Sequence, residues 1–105
     1  MSRPDPPLTH TTLKVLRVFL EKPDEGYGGA DITRLTGIVS GVMYPILSRL
    51  ERAGWLASAW ETQPASELRR PRKRMYRFTS SGLQKARVAF SEFAPAHLEA
   101  LRENE

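Results

Sequence analysis

The sequence predicts a mainly α domain with one small β-hairpin, and three observations carry this. Apolar residues recur at helical spacing in four stretches, 11–22, 30–36, 40–53 and 80–93. Two short stretches, 55–61 and 74–79, alternate instead and hold both tryptophans and two aromatics more. Pro23, Gly37 and Gly54 fall where the first three helical stretches end. At 105 residues, 40% hydrophobic and 27% charged, the chain has the length and balance of one soluble globular domain.

Residues 1–8 hold three prolines and little that packs, and read as a disordered arm. In TTLKVLRVFLEK, Leu13, Leu16 and Leu20 share a helix face with Val15 and Phe19, while Lys14, Arg17 and Glu21 lie opposite. A threonine caps this helix and Pro23 ends it. PDEGYGG reads as a turn. A two-turn helix over Ala30–Thr36 follows, with Ile32 and Leu35 inward and Gly37 as a left-handed cap. Ser40 is the expected N-cap of a third helix that runs to about Ala53 and is closed by Gly54. Pro45 requires that helix to start close to Ser40 or Gly41, where a missing N–H costs at most one helical bond.

Projected at about 100° per residue, the third helix places Val42, Met43, Ile46, Leu47, Leu50 and Ala53 in one arc. Gly41, Tyr44, Ser48 and Arg52 fall opposite, with Arg49 and Glu51 at the margins. WLASAWE and RMYRFT form the hairpin, joined by a loop of about ten residues with a basic tip. Thr79 or Ser80 caps a final helix with Leu83, Ala86, Phe90 and Phe93 at helical spacing. Pro95 kinks or ends it, and a tail follows. The expected organisation is an arm over 1–8, a core domain over 9–79, and a C-terminal helix with its tail over 80–105.

Charge locates the function. The net charge is +4, yet residues 69–77 alone hold six cations and no acid, leaving −2 for the remainder. A mildly acidic domain with one basic segment suits a polyanion, nucleic acid ahead of an anionic membrane. Helix, helix, turn, helix, basic hairpin, helix is the order of a winged helix-turn-helix. In that fold a helix polar on its outer face enters a major groove about 12 Å wide, and the hairpin lies along flanking phosphates or the minor groove. The basic cluster falls on the predicted wing, so element order and charge agree on DNA.

The residues that carry this reading also resemble a known family. Thr36-Gly37, Ser40-Gly41, Tyr44-Pro45, Leu47, Arg49-Leu50-Glu51, Gly54-Trp55 and Trp60-Glu61, then Arg70-Pro71-Arg72, Tyr76, Thr79 and Gly82, are similar in order and spacing to the PadR family of bacterial transcriptional regulators. The resemblance covers roughly residues 10–90. One departure is that Tyr27 to Ile32 is one residue longer than the Tyr-Gly-x-Glu-Ile of many members. The resemblance implies a homodimer on a palindromic double-stranded DNA operator, usually a repressor. It also implies pairing through C-terminal helices and, in several cases, release by a small planar or lipophilic effector. About 25 residues after the wing suffice for one dimerisation helix but not for a sensor domain, so an effector is expected at the dimer interface or between it and the DNA-binding unit.

The candidate DNA contacts are Ser40, Gly41, Tyr44, Ser48, Arg49, Arg52, Arg70, Arg72, Lys73 and Arg74. Ser40 caps its helix and can also touch phosphate. Tyr44 either sets its hydroxyl on a phosphate or caps the wing with its ring. Ser48 is the better base-edge candidate, because the N-terminal half of a recognition helix penetrates deepest. Arg52 reaches backbone phosphate or a local ion pair, and Arg49 does either. Arg72, Lys73 and Arg74 meet phosphate or the minor groove as a group, whereas Arg77 reads as a solvated face. Leu16, Leu83, Phe90, Phe93 and Leu98 are candidates for the dimer interface or an effector pocket. Trp55 and Trp60 read as core and hairpin packing, or as pocket-lining rings.

Other classes find no support. Without cysteine there is no disulfide, thiolate metal site or cysteine nucleophile, which fits a reducing, cytoplasmic setting. His10 and His97 stand alone, so no metal is expected. GYGG lacks the lysine and preceding strand of a phosphate-binding loop, so neither a nucleotide nor another cofactor is expected. There is no catalytic constellation, so an enzyme is not expected. No apolar run is long enough for a bilayer, and the N-terminus lacks the apolar stretch of a secretory signal. The alternative reading is a winged-helix interaction module whose basic loop binds an acidic protein, since the fold alone does not decide function.

Overall fold

Thr9 starts the first helix by accepting the Thr12 N–H on its hydroxyl at 3.1 Å. The computed structural model describes residues 4–92. Its elements are α1 (His10–Glu21), β1 (Tyr27–Gly28), α2 (Gly29–Thr36), α3 (Ser40–Arg52), β2 (Leu56–Trp60), α4 (Ala65–Leu68), β3 (Arg74–Phe78) and α5 (Ser80–Glu92). The three strands form one antiparallel sheet in the order β1-β3-β2. The core gathers Leu13, Leu16 and Phe19 of α1, Ile32 of α2, Met43, Leu47 and Leu50 of α3, and Trp55 and Leu56. Phe19 meets Tyr27 edge-on with ring centroids 5.4 Å apart, and so fixes β1 over the helices.

Several expectations change here. The hairpin is a three-stranded sheet, because Tyr27 and Gly28 pair with Tyr76 and Met75 inside what reads as a turn. The wing loop contains the short helix α4, closed by Arg69 in the left-handed region at φ 57°. Leu35 and Val42 are exposed, whereas Ile32 and Met43 are the residues of α2 and α3 that are wholly buried beside them in the core. Ser40 does not cap α3. Val39 is extended at φ −65°, ψ 150°, and its carbonyl takes the Val42 and Met43 N–H groups, so Ser40 is the first helical residue. Gly37 and Gly54 adopt the expected left-handed conformation, at φ 75° and 81°. Thr79 caps α5, accepting the Gly82 N–H at 2.9 Å.

The segment expected to be a disordered arm makes specific contacts over residues 4–8. Leu8 packs on the core. The Asp5 carboxylate accepts from Trp55 Nε1 at 2.9 Å and from Lys85 Nζ at 3.0 Å. The same segment borders a cleft with Arg49, Arg52 and Ala53 at the end of α3. It is therefore a strap across the end of α3, Trp55 and α5.

The Trp55 and Lys85 donors hold the Asp5 carboxyl below the ordinary carboxylate range. A depressed acid contributes its stability above the unfolded value, about 3.9, and loses it as pH falls through the lower folded value. Tryptophan emission followed from pH 6 downward is expected to show a reversible step below about pH 3.9. Asp5→Ala is expected to abolish that step; its persistence would mean that the strap does not release by this titration.

Candidate nucleic-acid interface

Helical periodicity divides α3, with Val42 as the exception. Met43, Ile46, Leu47 and Leu50 are buried, while Ser40, Gly41, Tyr44, Ser48, Arg49 and Arg52 are exposed. Pro45 is the sixth residue of α3 and exposed, so its ring replaces one helical N–H on the outer side. The outward face thus presents hydroxyl, phenol and guanidinium groups without interruption by core residues.

The wing is fastened to this helix by polar contacts. Ser58 of β2 donates its hydroxyl to Glu51 of α3 and accepts from Arg74 Nε at 2.9 Å. Arg74 also reaches Glu51 with Nη2 at 3.8 Å and lies over the exposed Trp60 ring, 5.7 Å from its centroid. The Tyr44 ring seats against Gly29, where a Cβ would stand 2.3 Å from the phenol oxygen. Tyr44, Trp60, Lys73, Arg74 and Tyr76 then line a cleft of about 340 Å³ between α3, the wing and the start of α2. Burial raises the Tyr76 phenol above its ordinary value.

Three acids organise the wing cations. Glu61 accepts a forked pair from Arg70, at 2.7 and 3.0 Å, and the Lys73 N–H at 2.8 Å. The Arg70 hydrogen bonds hold the Glu61 carboxyl below its ordinary value and raise Arg70 in turn. Lys73 Nζ lies 3.8 Å from Asp31, which accepts the Gly28 N–H at 2.9 Å at the start of α2. Arg69, Arg72 and Arg77 form no ion pair with the described residues. The structure thus brings Arg70, Arg72, Lys73 and Arg74 to one wing, with Lys73 and Arg74 next to Tyr44. Ser48, Arg49 and Arg52 share the open face of α3 and form no hydrogen bond or ion pair with the wing cations among the described residues.

Sequence reasoning did not single out Glu61, Asp31, Glu51 and Ser58 as the groups that set the cations in place. Asp31–Lys73, Glu51–Arg74 and Ser58–Arg74 join segments distant in sequence, whereas Glu61, the one available signal, stands only nine residues ahead of Arg70.

The other candidate group is divided. Leu16 is wholly buried within the core, which corrects its expected place at an interface or pocket. Fully enclosed by the core, it has no surface to offer. Leu83 and Phe90 are half-buried on α5. Phe93 and Leu98, like Pro95 and His97, lie outside the described residues. Another cleft, about 380 Å³, runs between the strap and α5, lined in part by Asp5, Leu8, Trp55, Lys85, Val88 and Ala89. Among the described residues no three metal-ligating side chains come together, and no helix is long and apolar enough to cross a membrane.

A helix-turn-helix with an open third helix and a basic, sheet-borne wing defines a winged helix-turn-helix protein. The chain belongs to the transcriptional regulator PadR-like family, whose model matches residues 15–88. Among solved structures it is similar to a PadR family transcriptional regulator from Eggerthella lenta DSM 2243, at 25% identity and a TM-score of 0.63, over 80% of this chain and 74% of that one. Its fold is also like that of wild-type apo MarR from E. coli, at 14% identity and a TM-score of 0.69, over 93% and 67% of the two chains. A third likeness is to overoxidised AbfR bound to DNA, at 21% identity and a TM-score of 0.59, over 91% of this chain and 58% of that one. A comparison with curated proteins returns no match.

Proposed function

We propose that the protein is a cytoplasmic, homodimeric repressor that binds a palindromic DNA operator with α3 in the major groove and the wing along the flanking backbone. The observation that carries this is the open face of α3, fastened to a basic wing through Glu51, Ser58 and Arg74. The DNA-bound AbfR structure supports it by likeness of fold. Two copies pair through α5 and the residues that follow it. A small lipophilic or aromatic effector binds where α5 meets the domain, and the cleft beside Trp55 and Val88 is the candidate.

The test combines a gel shift with sizing. The probe is DNA from upstream of the protein's own gene, at about 150 mM salt with excess nonspecific competitor. A discrete, competitor-resistant shift by a protein that elutes as a dimer is the expected result. A monomer whose weak shift disappears with competitor would overturn it in favour of a basic module for an acidic protein.

A further inference from the structure

We propose that Val42, with Val39 on the same side of α3, reads the C5-methyl groups of thymines in the operator; the inference rests on the DNA-binding reading above. Three aliphatic side chains are exposed around the turn between α2 and α3: Leu35 at 53%, Val39 at 65% and Val42 at 46%. The same two helices bury Ile32, Met43 and Leu47 completely. The core is therefore satisfied without the exposed three.

Local helix chemistry does not ask for them either. Valine is a poor N-cap, and its branched side chain is a weak choice in the first turn of a helix. Gly41 lies between the two valines. Its φ is not positive, and a Cβ there would meet nothing within 4 Å. Glycine in a helix is less favourable than alanine, with no return here from the fold. Three departures from good helix design within four residues, at 39, 41 and 42, fit a requirement set from outside the chain. Gly41 lets that partner approach the backbone, and the valines give it an apolar edge.

The partner's chemistry follows from the surroundings. Val42 and Arg49 are seven residues apart and so share one side of α3, and both are exposed. Ser40, Tyr44 and Ser48 continue the surface as hydroxyls. Two or three aliphatics cover far less than the roughly 800 Å² per partner of a stable protein–protein interface. The thymine methyl is the apolar group of a base edge in the major groove, and the N-terminal residues of a recognition helix contact base edges. A narrow apolar edge next to hydroxyls and a guanidinium suits that groove.

The test starts from duplexes recovered by the wild-type protein from a random library. Each thymine of the recovered site is replaced singly by uracil, which removes the methyl and leaves the pairing edge intact. Wild-type binding is expected to weaken about fourfold at one or two positions per half-site, the effect of one buried methyl-sized group. Val42→Ala lies on an exposed helix surface and retains the fold. It is expected to bind the thymine duplex less tightly and to lose its sensitivity to uracil at the same position. Recovery of a defined site with no uracil-sensitive position, or unchanged sensitivity in Val42→Ala, overturns the inference and leaves operator binding intact. Recovery of no defined sequence overturns both.

Discussion

Gly82→Ala is expected to abolish the stable fold. A Cβ on Gly82 would stand 1.9 Å from the carbonyl oxygen of Trp55, with the Trp55 carbonyl carbon and Cα both at 2.6 Å. The obstacle is backbone, so no side-chain rotation relieves it. Thr79 ties the start of α5 to the same place, donating its N–H to the Trp55 carbonyl at 3.1 Å and its hydroxyl to the Gly54 carbonyl at 2.6 Å. Alanine therefore forces α5 off the domain, which exposes Ala86 and Ala89 and unseats Trp55. The expected loss exceeds about 3 kcal/mol, a large part of the 5–15 kcal/mol that holds an ordinary domain together. Urea unfolding followed by circular dichroism reads it. Gly41→Ala is the contrast, because open space at that Cβ predicts an unchanged or slightly raised midpoint. Equal midpoints for the two variants would refute the close approach of α5 to Trp55.

Replacing Arg72, Lys73 and Arg74 together by glutamate is expected to remove operator binding at about 150 mM salt. Each reversal removes a cation and adds an anion that a phosphate repels. If all three cations meet phosphates, the slope of log affinity against log salt flattens by about three, and affinity falls by two orders of magnitude or more. The reversals also place glutamates beside Asp31 and Glu51, and this repulsion disturbs the wing itself. The triple glutamine variant separates the two effects, since it removes charge without adding repulsion. It is expected to unfold close to the wild-type midpoint, since the partly exposed Lys73–Asp31 and Arg74–Glu51 pairs contribute little, and still to lose most of its affinity. Retained affinity and slope in the glutamine variant would take the wing out of the interface.

Much of this architecture is written in short-range patterns. The stripe Leu13, Leu16, Phe19 and the set Met43, Ile46, Leu47, Leu50 are legible because a helix repeats every 3.6 residues and buries one face. Gly37, Gly54 and Thr79 punctuate the chain through conformations and caps that local chemistry dictates. What escapes is tertiary. β1 is two residues long and exists because Tyr27 and Gly28 find β3, not because they favour a strand. Leu35 and Val42 sit in apolar arcs by periodicity, yet they are exposed, and Ile32 and Met43 are the residues wholly buried beside them.

The candidate site divides in the same way. Which face of α3 is open follows from spacing, and where the positive charge gathers follows from composition. How much of that charge is already engaged does not, because Lys73–Asp31 and Arg74–Glu51 join distant segments of chain.

The strap has a practical side. Asp5 is bonded to Trp55 and Lys85, and Leu8 is packed on the core. An affinity handle or fluorescent fusion joined directly ahead of Pro4 would pull on α5 and crowd the end of α3 together. A purified protein carrying such a handle would report the behaviour of a loosened molecule. A long, flexible, cleavable spacer, removed before binding is measured, leaves this anchorage undisturbed.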